Sequence, residues 1–411
     1  MDFNLDQEIP RTGTGSAKWG ASFEDGEFVQ TDRSDPKYGD DQLLPLWVAD
    51  MDFRCPPAVV EALQERAAHG LFGYTMITDS YYESVISWAK RRYQWEIEKE
   101  WIEVLPGVVP AINIIVQTFT EPNDKIMIQR PVYFPFTAAI ENNGRQVVSN
   151  SLIYDRENGY YTIDFEDFAA KAADPAVKMF ILCSPHNPVG RVWTKEELTK
   201  MGEICLEHDV MVIADEIHCD LIFDGITFTS FGSISEAFVQ NSIICIAPSK
   251  TFNLAGLKTS NILFANKEMR DVFNKAMECL WIKGANSFGI VAAEAGYRHG
   301  EEWLAAVMEY VQENYNFMAD YLAKHIPQIK PIQPEGTYLA WLDCTDLGLE
   351  CDERYDMIMN EANVFLTQGK KFGPEGEMFE RVNLACPRSI LTKALERIKE
   401  IVYSRTAVPA D

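Results

Sequence analysis

Short apolar runs alternate along this chain with longer stretches in which apolar residues recur at helical spacing. KIMIQR at 125–130, RQVVSNSLI at 145–153, VKMFILC at 177–183, VMVIAD at 210–215 and SIICIA at 242–247 read as strands, the last of them buried on both faces. Between them lie helix start and stop signals. Pro57 opens AVVEALQERAAH and Gly70 closes it. Ser80 and Glu83 fit a capping box for a helix through Trp88. Gly107 precedes an apolar helix that starts near residues 108–110, and YFPFTAAIENNG forms a helix ending at Gly144. A further helix covers about 163–173, and Thr194 with Glu197 caps one that runs to His208. Strands alternating with helices predict a parallel sheet covered on both faces.

After about residue 298 the texture changes. A long helix over 301–325 is followed by strand-like pieces at 337–342 and 382–384 and an amphipathic helix, ILTKALERIKEIV. The chain's 411 residues exceed what one core usually supports. The expected organisation is α/β. Residues 47–298 form a large domain with a doubly wound, mostly parallel sheet. Residues 1–46 and 299–411 form an N-terminal arm and a smaller α+β domain. LPLWVADMDF, at 44–53, is a short buried segment.

Charge narrows the partners. A net charge of −25 argues against nucleic acid and anionic membranes, which need clustered Lys and Arg. No apolar run approaches the roughly 18 residues that span a bilayer. The nine cysteines are scattered, with no C-x-x-C pair, and no spacing suggests a metal site. The start, MDFNLDQEIPRTG, lacks the pattern of an export signal, so reduced thiols and a cytoplasmic location are expected.

Three of the buried strands end in polar residues of different kinds. VKMFILC leads into SPHNPVG with Asn187, VMVIAD ends at Asp215, and SIICIA is followed by Pro248, Ser249 and Lys250. Carboxyl ends of strands in an open α/β sheet are where ligands collect. An amide, a carboxylate and an amine at one edge suit pyridoxal phosphate, which needs a lysine for its aldehyde and an acid for its ring nitrogen. An ion pair at ~4 Å is worth about 4 kcal/mol at an effective dielectric of ~20, enough to hold a pyridine protonated near neutral pH. The helix start at Val108 and Val109 supplies N–H groups for a phosphate.

Eight stretches then carry a resemblance: LPLWVADMDF, GYTMITDSYYESVISW, PGVVPAI, RPVYFPF, SPHNPVGRVWTKEEL, DEIHCDL, APSKTFNLAGLKTSN and NLACPRSIL. With them the chain resembles the fold-type I pyridoxal-phosphate enzymes of the class I/II aminotransferase superfamily. Within these it looks most like the MalY/PatB cystathionine β-lyases, or C–S lyases. The resemblance runs from about Lys18 to the C-terminal helix.

The resemblance implies that Lys250 forms the Schiff base, Asp215 pairs with the ring nitrogen and Asn187 donates to the phenolic oxygen. It also implies that Tyr133 stacks on one ring face in the catalytic centre, opposite Ile217. His218 stands where aminotransferases often place a tyrosine directed at the same oxygen. Val108, Val109 and Ser249 would hold the phosphate. Lys258 occupies the place of a frequent arginine, and an ammonium does not reproduce a bidentate guanidinium. Arg388 matches the clamp for the substrate α-carboxylate. Tyr74 matches a tyrosine that reaches the neighbouring subunit's cofactor and substrate in a homodimer with shared active sites. Trp47 and Tyr338 either line the side-chain pocket or belong to the core.

The implied activity is β-elimination from cystathionine or a cysteine S-conjugate, giving pyruvate, ammonia and a thiol. An aminotransferase of the same fold and a cofactor-binding regulatory dimer are the other readings.

Overall fold

The computed structural model describes residues 3–24, 27–30, 43–282 and 286–406; the parts of the expected N-terminal arm at 1–2, 25–26 and 31–42 lie outside the described residues. The chain divides into two compact units. The larger comprises Arg54–Ala306 with Glu335–Thr337, and the smaller comprises Met1–Phe53, Val307–Pro334 and Tyr338–Asp411.

In the larger unit the apolar runs build a seven-stranded sheet. Its strands are β1 (Ile102–Leu105), β2 (Lys125–Ile128), β3 (Gln146–Ser149), β4 (Val177–Cys183), β5 (Met211–Asp215), β6 (Ser242–Ile246) and β7 (Ser260–Leu263), in the order β1-β7-β6-β5-β4-β2-β3. Strands β2 to β6 run parallel, and almost every residue of β4, β5 and β6 is buried, as strands covered on both faces require. The sheet is mostly parallel, as expected; the exception is β7, which pairs antiparallel with both β6 and β1. The connection holds only the short turns Pro248–Thr251 and Ala255–Leu257, and the chain returns beside the strand it has just left.

Register decides what each face carries. Met179, Ile181 and Cys183 of β4, Ile213 of β5, and Ile243 and Cys245 of β6 point to one side. There they meet Val108, Ala111, Ile112 and Ile115 of a helix spanning Val108–Phe119. Asp215 shares that face by alternation and stands opposite Cys183 and Cys245 on the two flanking strands. It is the one charged side chain at the carboxyl end of that row.

Most caps are where local chemistry puts them. Pro57–His69 ends at Gly70 in the left-handed region, φ 75°, and Lys195–Glu207 begins with a full capping box between Thr194 and Glu197. The next helix differs. Asp79–Tyr93 is capped by Thr78, whose hydroxyl accepts from the Tyr81 N–H, while Ser80 lies inside the first turn and donates to Glu294 instead. The helix also runs past Trp88 because Tyr81, Val85 and Trp88 keep one face buried, and it stops at Gln94, φ 54°.

The smaller unit pairs Leu339–Asp343 antiparallel with Phe379–Asn383, and the helix Arg388–Thr406 packs by Val364–Phe365. The long helix Glu301–His325 contributes its first turns to one unit and the remainder to the other.

Residues 46–51 are irregular, and side chains replace the missing ladder. Arg381 Nη2 donates to the Trp47 carbonyl at 2.8 Å, and Tyr338 Oη to that of Ala49 at 2.8 Å. Asn383 Nδ2 donates to those of Val48 and Asp50, each at 2.6 Å. Trp47 itself stacks on Phe365 at 4.5 Å, so Trp47 and Tyr338 are core residues of this unit.

The N-terminal segment is fastened to the same stretch by charge. Lys18, 0% exposed, meets Asp52 at 2.6 Å, and Asp52 also accepts from Arg11 at 2.6 Å and Trp19 Nε1 at 2.8 Å. Burial alone would raise the Asp52 carboxyl, but Lys18, Trp19 and Arg11 outweigh it and hold the group below its usual 3.8.

Truncating one member of such a pair strands the other. Lys18→Met is expected to cost about 3–5 kcal/mol in urea unfolding at neutral pH. The sign with pH follows from the depressed carboxyl. Its stabilisation is present above the unfolded-state value near 3.8 and is lost as pH falls through the lower folded one, so the gap between parent and Lys18→Met should narrow below about pH 4. A gap constant from pH 7 to pH 3 would contradict this.

Candidate active site

Strand order places β5 between β4 and β6, so their three carboxyl ends are neighbours. Asp215 closes β5 at 3% exposure. The Ser184 N–H donates to its carbonyl at 3.0 Å, and the Glu216 N–H donates to the Cys245 carbonyl at 2.8 Å, which carries both ladders past the strand end. The Asp215 carboxylate accepts from the Ile217 N–H at 3.3 Å. Desolvation raises its pKa to about 7, opposed by that N–H and by the charge of Lys250.

Lys250 itself is half-buried on a short helical turn, Pro248–Thr251, which starts as soon as β6 ends. The charge of an amine thus acts on a carboxylate that is held apart from water. Glu216, the next residue, lies deeper: it accepts from Ser230 Oγ and the Phe231 N–H, each at 2.7 Å, and burial pushes it to about 8.

Asn187, 4% exposed, rides on the turn that follows β4. Backbone bonds from His186 N–H to the Arg191 carbonyl and from Gly190 N–H to the His186 carbonyl, both 2.8 Å, close that turn. The Asn187 N–H donates to Cys183 Sγ at 3.4 Å, so a thiol beside Asp215 also steadies the Asn187 backbone.

Two supports of this turn carried no signal in the sequence. His186 is buried and held to about 4, hence neutral, and its Nε2–H donates to the Pro131 carbonyl at 2.9 Å, two residues before Tyr133. Arg191 is gripped by Glu197 and by Glu335, at 2.9 and 2.8 Å, and lies 4.3 Å over the Tyr160 ring. The Glu197 contact has a trace in the capping box, but Glu335 lies 144 positions away and no local pattern announces it.

Tyr133 and Ile217 are both partly buried and pack against the same apolar cluster as Val108, Cys183 and Cys245. His218 is buried, with its carbonyl bonded to the Leu221 N–H. The helix Val108–Phe119 begins after Gly107, and the N–H groups of Val108 and Val109 belong to the first turn, which has no intrahelical carbonyl to meet, while Pro110 has no N–H. Ser249 is half-buried beside Lys250. Lys258 is exposed and adopts φ 50° at the end of a 3-10 turn.

Tyr74 is fully exposed, among the exposed residues Leu71, Phe72 and Met76. Arg388 belongs to the smaller unit. Its Nε donates to Asn314 Oδ1 at 2.5 Å, its guanidinium lies 4.7 Å from the Phe317 ring, and its N–H donates to Tyr310 Oη at 2.7 Å. Asn314 is itself fixed by donating to the Leu384 and Cys386 carbonyls, both at 2.9 Å. With Nε committed, the Nη pair is the part of the fork left for a planar anion. Among the described residues no group of His, Cys, Asp or Glu is arranged to hold a metal ion.

Comparison with known proteins identifies the family. Residues 41–398 match the aminotransferase class I and II family. Over 396 residues the chain is 42% identical to the cystathionine beta-lyase PatB of Bacillus subtilis (strain 168), covering 96% of this chain and 99% of that protein. It is similar to cystalysin from Treponema denticola, whose crystal structure contains pyridoxal 5'-phosphate, with TM-score 0.91 and 36% identity over 98% of this chain and 100% of that one. A C–S lyase from Staphylococcus hominis, solved with pyridoxal phosphate and the inhibitor L-cycloserine, gives TM-score 0.90 and 34% identity over 98% of each chain. Matched over most of its length, the chain belongs to the class I and II aminotransferase family, in the branch of the MalY/PatB cystathionine β-lyases.

Proposed function

We propose that this protein is a pyridoxal-phosphate-dependent C–S lyase that eliminates the thiol from cystathionine or a cysteine S-conjugate. The observation that carries the choice of lyase is the 42% identity, over almost the full length of both chains, to a protein named cystathionine beta-lyase.

The residues present fit the cofactor. A carboxylate buried to the point of a pKa near 7 is stabilised as an anion by a protonated ring nitrogen. The helix start at Val108 and Val109 suits a phosphate, though a helix terminus supplies only about 0.3–1 kcal/mol, so Ser249 and Lys258 are read as its companions. Asn187 and His218 are read as partners of the phenolic oxygen, and Tyr133 and Ile217 as the two walls of the ring slot. When bound, the cofactor supplies an electron sink for the substrate's Cα.

The chain's own groups do the remainder. Lys250 Nζ anchors the cofactor, and once displaced by the substrate amine it is the base that takes the Cα proton. Asp215 keeps the proton on the ring nitrogen. Arg388 takes the α-carboxylate by its Nη fork, with Asn187 and Tyr74 as further substrate contacts. A thioether on Cβ would then leave as a thiolate, and the remaining three-carbon product would take up water to give pyruvate and ammonia.

The active assembly is read as a homodimer with shared sites. Leu71, Phe72, Tyr74 and Met76 form a run of exposed large side chains, a pattern that marks interaction surfaces more often than free solvent faces. All nine cysteines are free and seven of them buried, which suits a reducing compartment such as the cytoplasm. No helix among the described residues is long and apolar enough to cross a membrane.

Two experiments test the reading. Cystathionine should give pyruvate, ammonia and homocysteine with no added keto acid, and Lys250→Ala should abolish both turnover and the borohydride-reducible link to the cofactor. Turnover that needs a keto acceptor and yields no pyruvate would make the protein an aminotransferase. Mixing inactive Tyr74→Ala chains with inactive Lys250→Ala chains should restore part of the activity, because one site of each hybrid is intact. Verified mixed dimers with no recovered activity would rule out shared sites.

A further inference from the structure

Asp220 lies five positions past Asp215 in DEIHCDL and is 3% exposed. Its carboxylate gathers three side chains from two distant stretches. Thr251 Oγ1 donates to Oδ2 at 2.7 Å and Tyr93 Oη to Oδ1 at 2.6 Å. Trp88 Nε1 donates at 3.0 and 3.2 Å to the two oxygens. The Arg92 guanidinium stands 3.7 Å away. Burial raises the carboxyl's pKa, and these hydrogen bonds and the Arg92 charge oppose the rise.

The geometry around Thr251 is unusually closed. Thr251 follows Lys250 on the same helical turn, Pro248–Thr251. The next residue, Phe252, packs edge-on against Trp88 at 5.4 Å and against Tyr297 at 5.7 Å. Gly296 is so near that a Cβ there would sit 2.6 Å from the Phe252 ring. Lys250 thus belongs to a turn that one carboxylate and one aromatic cluster hold in place. The same carboxylate belongs to the segment that carries Asp215, Ile217 and His218.

We propose that Asp220 is a positioning residue for Lys250, acting through the Thr251 hydroxyl to fix the turn from which the amine projects and to tie it to the Asp215 segment. The proposal rests on Lys250 being the lysine that carries the cofactor. A carboxylate serves all three partners at once, because Trp88 offers only a donor and the Tyr93 and Thr251 hydroxyls donate here as well. An amide at 220 would point its NH2 at one of these partners, so that the Thr251 or Tyr93 hydroxyl must turn to accept and the present set of contacts is lost. A group that moves a proton is sensitive to placement, since a shift of about 1 Å can cost about a hundredfold in rate.

The test uses the parent holoenzyme with Asp220→Asn, Thr251→Val and Thr251→Ser, each checked for folding by its melting temperature. Borohydride trapping and peptide mapping come first. Label away from Lys250 in the parent would overturn the cofactor assignment and this proposal with it. With label on Lys250, Asp220→Asn and Thr251→Val should lower kcat about tenfold or more while KM stays within about threefold, and should move the pH midpoint of the bound cofactor's visible absorbance by about half a unit or more. Thr251→Ser, which keeps the hydroxyl, should restore the parent's values. A folded Thr251→Val with parental kcat and midpoint overturns the proposal, as does Thr251→Ser behaving like Thr251→Val. If Asp220→Asn does not fold, the two Thr251 variants decide alone.

Discussion

The desolvation of one carboxylate is the constraint on which the site depends. Asp215 ends a strand whose other inward residues are apolar, and it stands between two thiols rather than two donors. Water would solvate it better than this face does, which is why its proton is held up to about 7. The cost is offset only when a cation comes within reach. Lys250 supplies part of that charge, and a protonated ring nitrogen would supply more. The fold thus holds an acid that is costly to ionise without its partner.

Such an acid is useful only if its surroundings cannot relax to solvate it. The backbone on either side of Asp215 continues into ladder bonds with β4 and β6. The turn bearing Asn187 is braced by neutral His186 and by an Arg191 held between Glu197 and Glu335. These groups touch neither Asp215 nor Lys250 in any described contact, yet each removes a way for the strand ends to move. The smaller unit follows the same logic with other materials. Its segment 46–51 has no ladder, so Arg381, Asn383, Tyr338 and Lys18 hold its carbonyls one by one.

What was legible in the sequence was whatever a few consecutive residues encode. The five long apolar runs became strands, Thr194 and Glu197 made their capping box, and Asn187, Asp215 and Lys250 came to adjacent strand ends because each closes such a run. Asp79–Tyr93 shows the limit: Ser80 and Glu83 fitted the box pattern, but Thr78 two residues earlier won the cap, and both motifs satisfy the same local rule. β7 escaped notice because SNIL is short and its direction is set by the loop before it, not by its residues. Arg191 and Asp220 each have a partner more than 100 positions away, Glu335 and Trp88, and pairing across that distance leaves no mark in either neighbourhood.

The overall charge bears on the substrate in a way the local charges reverse. A protein of net charge −25 repels an amino-acid substrate's carboxylate at long range, yet the Debye length is only about 8 Å at physiological salt, so distant acids are largely screened. Recognition is then decided by the few positive groups that an anion meets at contact. On the proposed reading those are the Arg388 guanidinium, with its Nε already committed to Asn314, the Lys250 amine, and the first turn of the helix after Gly107. Each is fixed by neighbours that are themselves neutral or paired. A fixed donor loses little freedom when the anion arrives, and preorganisation of that kind does more for binding a small charged molecule than the sign of the whole surface.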